Sequence, residues 1–456
     1  MKKYKVYLAL LMISLFGTDL TDFALSVWIL EQPGSSVSSY SLVWFFEAVP
    51  GVVLAPFIGS MVDRWDKKKM IVGGQIVAGI GSLALMALHN FGMLQAWHIM
   101  IVAGIGSVAS MFVFDAFQAS TSTLVSKDKL VKANGMSSTM YGVIQMGVPI
   151  LAPVLYKLIG IRSIFFIDVI TFSIAVVAFL LLGFVVVARS SDKFNFKEDF
   201  KLVRAFVKEK AGFSYFIFFF FLMSFLIGLI SVLFTPLVLD FSNEYILGII
   251  MSCAGVGALL GGVLMSVLKE FKRPMNAVIN LGYLKSLVFL GCFFFMNQYT
   301  LAVAGVIIMA LFTIEMVISE AFLQTLIPVE KQGRIMGTVS FLVGITAPIA
   351  YLIVGPLVDY VKLFVDHFFP DLYTHYPGTN LTAAIAVVFG LCGVFLIIIS
   401  FVYKQKKAFN NLDDLYVKEL EMLKENKDLT PVVNGAEIVD QIENHSEEEK
   451  EKEVGV

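Results

Sequence analysis

The sequence is poor in charged residues: Asp, Glu, Lys and Arg together make up 15% of its 456 residues, against roughly 25% in ordinary soluble domains. This shortage excludes a chain with a conventional polar surface. The formal net charge is only −2, which argues against binding of nucleic acid through a basic surface. The three cysteines all lie in apolar stretches without metal-ligand spacing, so the sequence supports neither a disulfide framework nor a zinc site. We expect no metal and no other cofactor.

Long apolar runs take the place of charge, since hydrophobic residues reach 58% and include 42 Phe. Twelve runs are long enough to cross about 30 Å of hydrocarbon as helices at about 1.5 Å per residue, and a helix satisfies its own backbone hydrogen bonds in lipid. They lie near residues 6–29, 40–62, 70–89, 97–121, 138–160, 163–188, 213–240, 245–268, 275–297, 300–326, 335–360 and 381–403. We therefore predict an all-α polytopic membrane protein with twelve transmembrane helices.

Positive charge distinguishes the two sides of this protein. When the loops are assigned alternately, 22 Lys and Arg fall on the side of the termini and three, Lys157, Arg162 and Lys362, fall on the other. Basic loops favour the cytoplasm. We therefore expect a multi-pass protein of the plasma membrane with both termini in the cytoplasm.

The spans form two groups of six. The predicted parts are an N-terminal six-helix bundle, a cytoplasmic linker with an interfacial helix, a C-terminal six-helix bundle and a charged, largely disordered cytoplasmic tail, at residues 1–188, 189–212, 213–403 and 404–456. Similar short sequences, 123–129 and 325–331, mark the end of the fourth span of each group, which favours duplication and pseudo-symmetric bundles. The tail carries 8 Lys and 14 Asp or Glu and is too polar to fold alone.

Acids inside the spans are the first candidates for a functional site, because a charge at the bilayer centre costs about 2.5–3.5 kcal/mol on insertion scales. The first span has a polar stripe that recurs every four positions, with a second acid on the neighbouring face. These residues are Ser14, Thr18, Asp22 and Ser26, and Asp19 beside them. We interpret the stripe as the wall of a wet cavity, and hydrogen bonding between helices is the alternative.

Other spans add Glu47, Asp168, Glu315 and Glu320, against Lys285 as the clear intramembrane base. The predicted cavity is therefore electronegative. Low dielectric favours the neutral form of a carboxylate, so the acids of the first, second and tenth spans are candidates for proton coupling or for contact with a cationic substrate. Glu320 lies nearer the cytoplasmic end, where gating is expected. For Asp168 two interpretations stay open: it belongs to the acidic site, or it caps or braces the start of the sixth span.

The loop after the second span reads Gly59-Ser-Met-Val-Asp63-Arg64-Trp-Asp66-Lys67-Lys68-Lys69. This sequence resembles the loop signature of the major facilitator superfamily, over about residues 5–403, with features similar to the macrolide-efflux and siderophore-exporter branch. The resemblance implies a drug:proton antiporter that works by alternating access around a central cavity. It also implies a cytoplasmic gate in which Lys67 bridges to an acid on the fourth span, built from Gly59, Asp63, Arg64, Lys67, Lys68 and Asp115. The alternative is that the basic run only sets the orientation.

The fifth span resembles a loose form of an antiporter motif of this superfamily, through Gly142, Gly147, Pro149 and Pro153. A simple packing bend explains the same residues. Where many proton-coupled relatives have an arginine on the fourth span, this sequence has Ala103. Coupling through that residue is therefore in doubt.

The expected function is secondary active transport, with proton-coupled efflux of amphipathic drugs such as macrolide-like antibiotics by a monomer in the lipid bilayer. An importer or uniporter of a small solute is the alternative, because the sequence does not fix the direction of transport. A polytopic membrane enzyme or sensor is a remote alternative, since the five histidines are scattered and the sequence has no zinc-helix pair, nucleophile elbow or phosphate-binding lysine motif. We therefore expect no enzymatic activity.

Overall fold

A computed structural model describes residues 2–125, 129–181, 196–210, 212–268 and 271–429. Within these ranges the chain is helical apart from short connections. The first seven helices are α1 (Lys2–Glu31), α2 (Val37–Arg64), α3 (Lys67–Asn90), α4 (Ala96–Leu124), α5 (Leu130–Leu181), α6 (Phe196–Glu209) and α7 (Phe213–Phe241). The others are α8 (Glu244–Val267), α9 (Pro274–Phe294), α10 (Gln298–Leu326), α11 (Val329–Gly344), α12 (Thr346–Phe368), α13 (Asn380–Gln405) and α14 (Lys407–Leu429).

The described helices provide twelve membrane crossings. Eleven helical stretches are long and apolar enough to span a bilayer, and the one within α5 turns back at Gly160, which has φ 72° and ψ 165°. Glycine adopts this positive φ without the steric cost that a side chain brings. The fifth and sixth predicted spans are therefore the two arms of α5.

The eleventh crossing, which the sequence predicted as one helix, is a single apolar stretch, Arg334–Phe368, with a local irregularity at Ile345. Helix α11 ends at Gly344 and α12 starts at Thr346. Pro348 has no backbone N–H to donate to the carbonyl of Gly344, four residues earlier. In the same turn, the Thr346 hydroxyl donates a hydrogen bond to the Val343 carbonyl oxygen at 2.6 Å. The crossing therefore remains one span with an irregular turn.

Two bundles result, α1–α5 and α7–α13, with two opposite faces. The hydroxyl of Tyr4 donates to the Ala133 carbonyl oxygen at 2.9 Å, so α1 and α5 begin on the same face. We call this the terminal face, because α14 also lies there, and the opposite one the distal face. Side chains fix several helix starts by accepting a hydrogen bond from a first-turn amide, as Ser36, Asn243 and Thr379 do.

The two bundles meet from the distal face to the middle of the membrane. Helix α5 packs on α8, and α2 packs on α12. Gly248 permits the first contact, since an added Cβ would lie 2.1 Å from the Pro149 carbonyl oxygen. At the second contact the Ser38 hydroxyl donates to Asp359 Oδ2 at 3.1 Å.

Helix α6 lies in the segment where the sequence predicted an interfacial helix. Its buried side chains include Val203 and Phe206, whereas Phe200 is 46% exposed. The Phe206 ring packs edge-to-face on Phe213 at 4.9 Å between centroids, and α6 also contacts α11. Contact with the second bundle therefore selects which side of α6 is buried.

The tail, which the sequence predicted to be largely disordered, begins with a well-packed helix, α14. Phe409, Leu412 and Tyr416 recur on one side and are buried, with the Phe409 ring 5.6 Å from that of Phe219. The residues of the tail from 430 to 456 lie outside the described part of the chain. Burial of apolar side chains against the second bundle supplies the stability that the polar sequence lacks alone.

Candidate functional site

The polar stripe of α1 is divided between packing and an open hollow. Ser14 is buried and its hydroxyl donates to Gln75 Oε1 on α3 at 2.7 Å, and Thr18 Oγ1 donates to the Ser14 carbonyl oxygen at 3.2 Å. Asp22 is exposed although it lies well inside a spanning helix, and Asp19 and Ser26 are half-buried. Asp19 and Asp22 therefore remain accessible to molecules of the size of water.

A cavity of about 750 Å³ lies within the first bundle, among α1, α3, α4 and α5. We call it the inner cavity. Its polar lining comes from Ser14, Thr18, Gln75, Asp115, Gln118 and Tyr141, among others. Two members of the predicted stripe thus line this space together with Asp115.

A second hollow of about 400 Å³ lies where the bundles meet, lined by Trp44 and Glu47 of α2, Ser107 of α4 and Tyr351 of α12. We call it the interbundle pocket. Met111 lines both this pocket and the inner cavity, so the two are neighbours. The Trp44 and Tyr351 rings pack edge-to-face with centroids 6.0 Å apart, so each bundle contributes one wall.

Electrostatic repulsion connects the acids around these hollows. Asp22 interacts unfavourably with Glu47, Asp19 and Asp168. Among the described residues, neither Asp19, Asp22 nor Glu47 takes part in an ion pair. Such a set of like charges is relieved by binding protons or a cation.

Asp168 has a packing role inside the first bundle. The carboxylate is buried and Oδ2 accepts a hydrogen bond from the Ser82 hydroxyl at 2.6 Å. Gly17 of α1 lies directly against it, since an added Cβ would be 2.9 Å from Asp168 Oδ1 and 2.3 Å from Thr171 Oγ1. Asp168 therefore braces the second arm of α5 against α1 and α3.

The two acids of α10 do not join this group. Glu315 is buried in an ion pair with Lys285 of α9. Glu320 is exposed and accepts a hydrogen bond from Gln324 Nε2 at 3.2 Å. The predicted acidic set thus separates into a cluster around α1 and α2, a paired acid in the second bundle and an exposed acid toward the terminal face.

The signature loop lies on the terminal face, between α2 and α3. Asp66 Oδ1 accepts a hydrogen bond from the Lys69 amide at 3.1 Å and caps α3, and Lys68 Nζ donates to the Leu180 carbonyl oxygen at 3.1 Å. Lys67 is buried and Asp115 is half-buried, and the two form no ion pair in this conformation. The side chains of the other three predicted gate residues, Gly59, Asp63 and Arg64, lie outside the described ones.

The proline-containing part of the fifth span forms part of the bundle interface. Pro149 and Pro153 are buried and both lie against Gly248 of α8. Gly142 and Gly147 have open space around their Cα atoms. The first arm of α5 is therefore closely packed against α8 at its two prolines and loosely packed at its two glycines.

Sequence reasoning missed Gln75, Ser82, Trp44 and Tyr351. The first two are the partners of Ser14 and Asp168, and they lie on a third helix whose facing side no local pattern reveals. Trp44 lies one helical turn before Glu47, and this spacing was the available signal for placing both on one wall.

Comparison with known proteins gives consistent matches over most of the chain. The family model described as Major Facilitator Superfamily matches residues 7–351. Macrolide efflux protein A of Streptococcus pyogenes is 24% identical over 380 residues, covering 78% of this chain and 89% of that protein. Macrolide efflux protein A of Enterococcus faecalis is 27% identical over 244 residues, covering 52% and 74%. The crystal structure of the nucleoside transporter NupG matches with a TM-score of 0.69 at 13% identity, covering 88% of this chain and 98% of that one. The predicted fold class, two six-helix membrane bundles, is confirmed.

Proposed function

The chain belongs to the major facilitator superfamily, and from this premise we propose that it is a proton-coupled exporter of amphipathic, cationic drugs of the macrolide type. The relatives named macrolide efflux protein A support the direction and the substrate class at 24–27% identity. The proposal also places the protein in the cell membrane as a monomer, with both termini in the cytoplasm.

The observation that carries the proposal is the cluster of Asp19, Asp22 and Glu47 beside the two hollows. These acids repel one another and no described cation pairs with them. A cationic drug that enters from the terminal face would relieve the repulsion, and so would protons that enter from the distal face. Competition between the two ligands for one set of carboxylates couples their movement in opposite directions.

Alternating access then requires the bundles to separate at the distal face. The contacts that must break are those of Ser38 with Asp359, Trp44 with Tyr351, and α5 with α8 at Gly248. The interbundle pocket lies at the inner end of these contacts, so a ligand there touches both bundles. Differential binding in the two arrangements drives the change of state.

Everted membrane vesicles test this function directly. We expect a radiolabelled macrolide to accumulate in vesicles that contain the protein when respiration acidifies their interior, and to leave them when a protonophore collapses the gradient. Uptake that does not depend on the pH gradient would refute proton antiport. Accumulation only in right-side-out vesicles would show an importer.

Two variants localise the coupling. Asp22→Asn keeps the size of the side chain but cannot ionise, and we expect it to abolish gradient-driven uptake at normal protein levels. Glu320→Gln is the matched control, because Glu320 lies outside both hollows, and we expect it to retain uptake. Wild-type transport by Asp22→Asn would refute the role of the α1 cluster.

A further inference from the structure

A groove of about 910 Å³ runs between α2 and α3 over α4. It uses a different side of α4 from the hollows described above: Ile101, Ile105 and Phe112 line the groove, whereas Ser107 and Met111 line the interbundle pocket. Ile101 and Ile105 are 52% and 53% exposed. Exposed apolar side chains on a spanning helix face lipid, so the groove opens to the bilayer.

Small residues make the groove deep. Gly74 lets α3 approach α4, since an added Cβ would lie 2.8 Å from the Ala109 carbonyl oxygen, and nothing lies within 4 Å of the corresponding position at Gly73. The groove extends along α4 from Met100 to Phe112, which is about 18 Å at 1.5 Å per residue. Half of the hydrocarbon thickness is about 15 Å, so the groove has the depth of one leaflet.

The groove changes from apolar to charged at the terminal face. Trp65 is 53% exposed and stacks on Phe112 with ring centroids 6.1 Å apart and planes at 7°. Lys69 lines the same end and is exposed. Asp66 lies there too, but its carboxylate caps α3 through the Lys69 amide. An indole and an ammonium group at the headgroup level suit the glycerol and phosphate of a lipid.

The geometry points to a binding site for one anionic phospholipid, with its headgroup beside Lys69 and Trp65 and one acyl chain in the groove over Gly73. The exposed ammonium group of Lys69 at the mouth selects an anionic headgroup, and the open space at Gly73 holds the chain. This site is separate from the transport pathway, because it lies on the lipid side of α4. It also differs from general attraction of the basic loop to a negative surface, which needs no groove.

Tryptophan fluorescence tests the site. In a variant that keeps Trp65 and replaces Trp28, Trp44 and Trp97 by Phe, brominated phosphatidylglycerol at a low fraction in phosphatidylcholine nanodiscs should quench Trp65. We expect its apparent affinity to exceed that of brominated phosphatidylcholine about five-fold, the factor for one lysine near an anionic lipid. Equal quenching by the two lipids would overturn the proposal.

Two substitutions distinguish lipid binding in the groove from general attraction of the basic loop to a negatively charged membrane surface. Gly73→Leu fills the groove from a position at which an added Cβ meets open space, and Lys69→Gln removes the positive charge, so each should abolish the preference. Gly291→Leu, at another open helical glycine, and Lys132→Gln, at another exposed lysine of the terminal face, should preserve it. A preference that survives Gly73→Leu in a protein of unchanged thermal stability would mean surface attraction only and would refute the site.

Discussion

Lys285 of α9 and Glu315 of α10 form an ion pair inside the second bundle, with each side chain only 4% exposed. Removing one member of a buried pair leaves an uncompensated charge and costs about 3–5 kcal/mol. We therefore expect Lys285→Met to reduce thermal stability strongly, as measured by a fluorescence melting curve in detergent. Lys285→Met combined with Glu315→Leu should recover most of the loss, and a double variant as unstable as the single one would contradict this explanation.

Gly17 is the contact between α1 and the second arm of α5. Gly17→Ala would place a Cβ 2.3 Å from Thr171 Oγ1 and 2.9 Å from Asp168 Oδ1, so the helices must move apart. Overpacking of this kind costs about 1–3 kcal/mol. We expect a lower melting temperature than in the wild type. Gly291→Ala is the control, since its new methyl group meets open space and alanine favours a helix.

Asp413 attaches α14 to the second bundle. Its two carboxylate oxygens accept hydrogen bonds from the amides of Met275 at 2.7 Å and Asn276 at 3.1 Å, which are at the start of α9. Losing such a cap costs about 0.5–2 kcal/mol. We expect Asp413→Ala to raise amide hydrogen exchange across α14, measured by mass spectrometry. Asp414→Ala, at the exposed neighbouring position, should leave exchange unchanged.

The same contact has a defined pH dependence. Burial raises the pKa of Asp413 above its usual range, and this effect exceeds the opposing influence of the Met275 and Asn276 amides and of Arg273. The Asp413 carboxylate therefore binds a proton more tightly when α14 is docked than when the helix is free. Docking becomes stronger as the pH falls through the raised pKa of the docked state, and this gain is complete below the usual Asp pKa of about 3.9.

We expect spin labels at Lys418→Cys and Lys272→Cys, in a variant without native cysteines, to show a distance distribution that narrows as the pH falls. Asp413→Asn should remove this dependence. A distribution that broadens on acidification would reverse the assigned sign.

The sequence predicts features that depend on neighbouring residues, and it fails for features that depend on residues far apart in the chain. Spans are local, because a continuous apolar run is helical in lipid whatever surrounds it, and the stripe on α1 follows from helix geometry alone. The partner of Ser14 is 61 residues away at Gln75, and that of Glu315 is 30 residues away at Lys285. Which sides of distant helices face each other depends on the whole packing arrangement, so the division of the acids into free and paired ones required the structure.

The distal contact between Ser38 and Asp359 offers a test of the rocking movement. The Ser38 hydroxyl lies 3.1 Å from Asp359 Oδ2, so a short thiol-specific crosslinker should join Ser38→Cys to Asp359→Cys after Cys253, Cys292 and Cys392 are replaced. Because α2 and α12 must separate for the distal face to open, we expect crosslinking to abolish macrolide accumulation in everted vesicles. Each single-cysteine variant treated with the same reagent should retain transport, which controls for simple modification. Full transport by the crosslinked protein would show that α2 and α12 stay together throughout the cycle, and the alternating-access movement would then have to occur elsewhere.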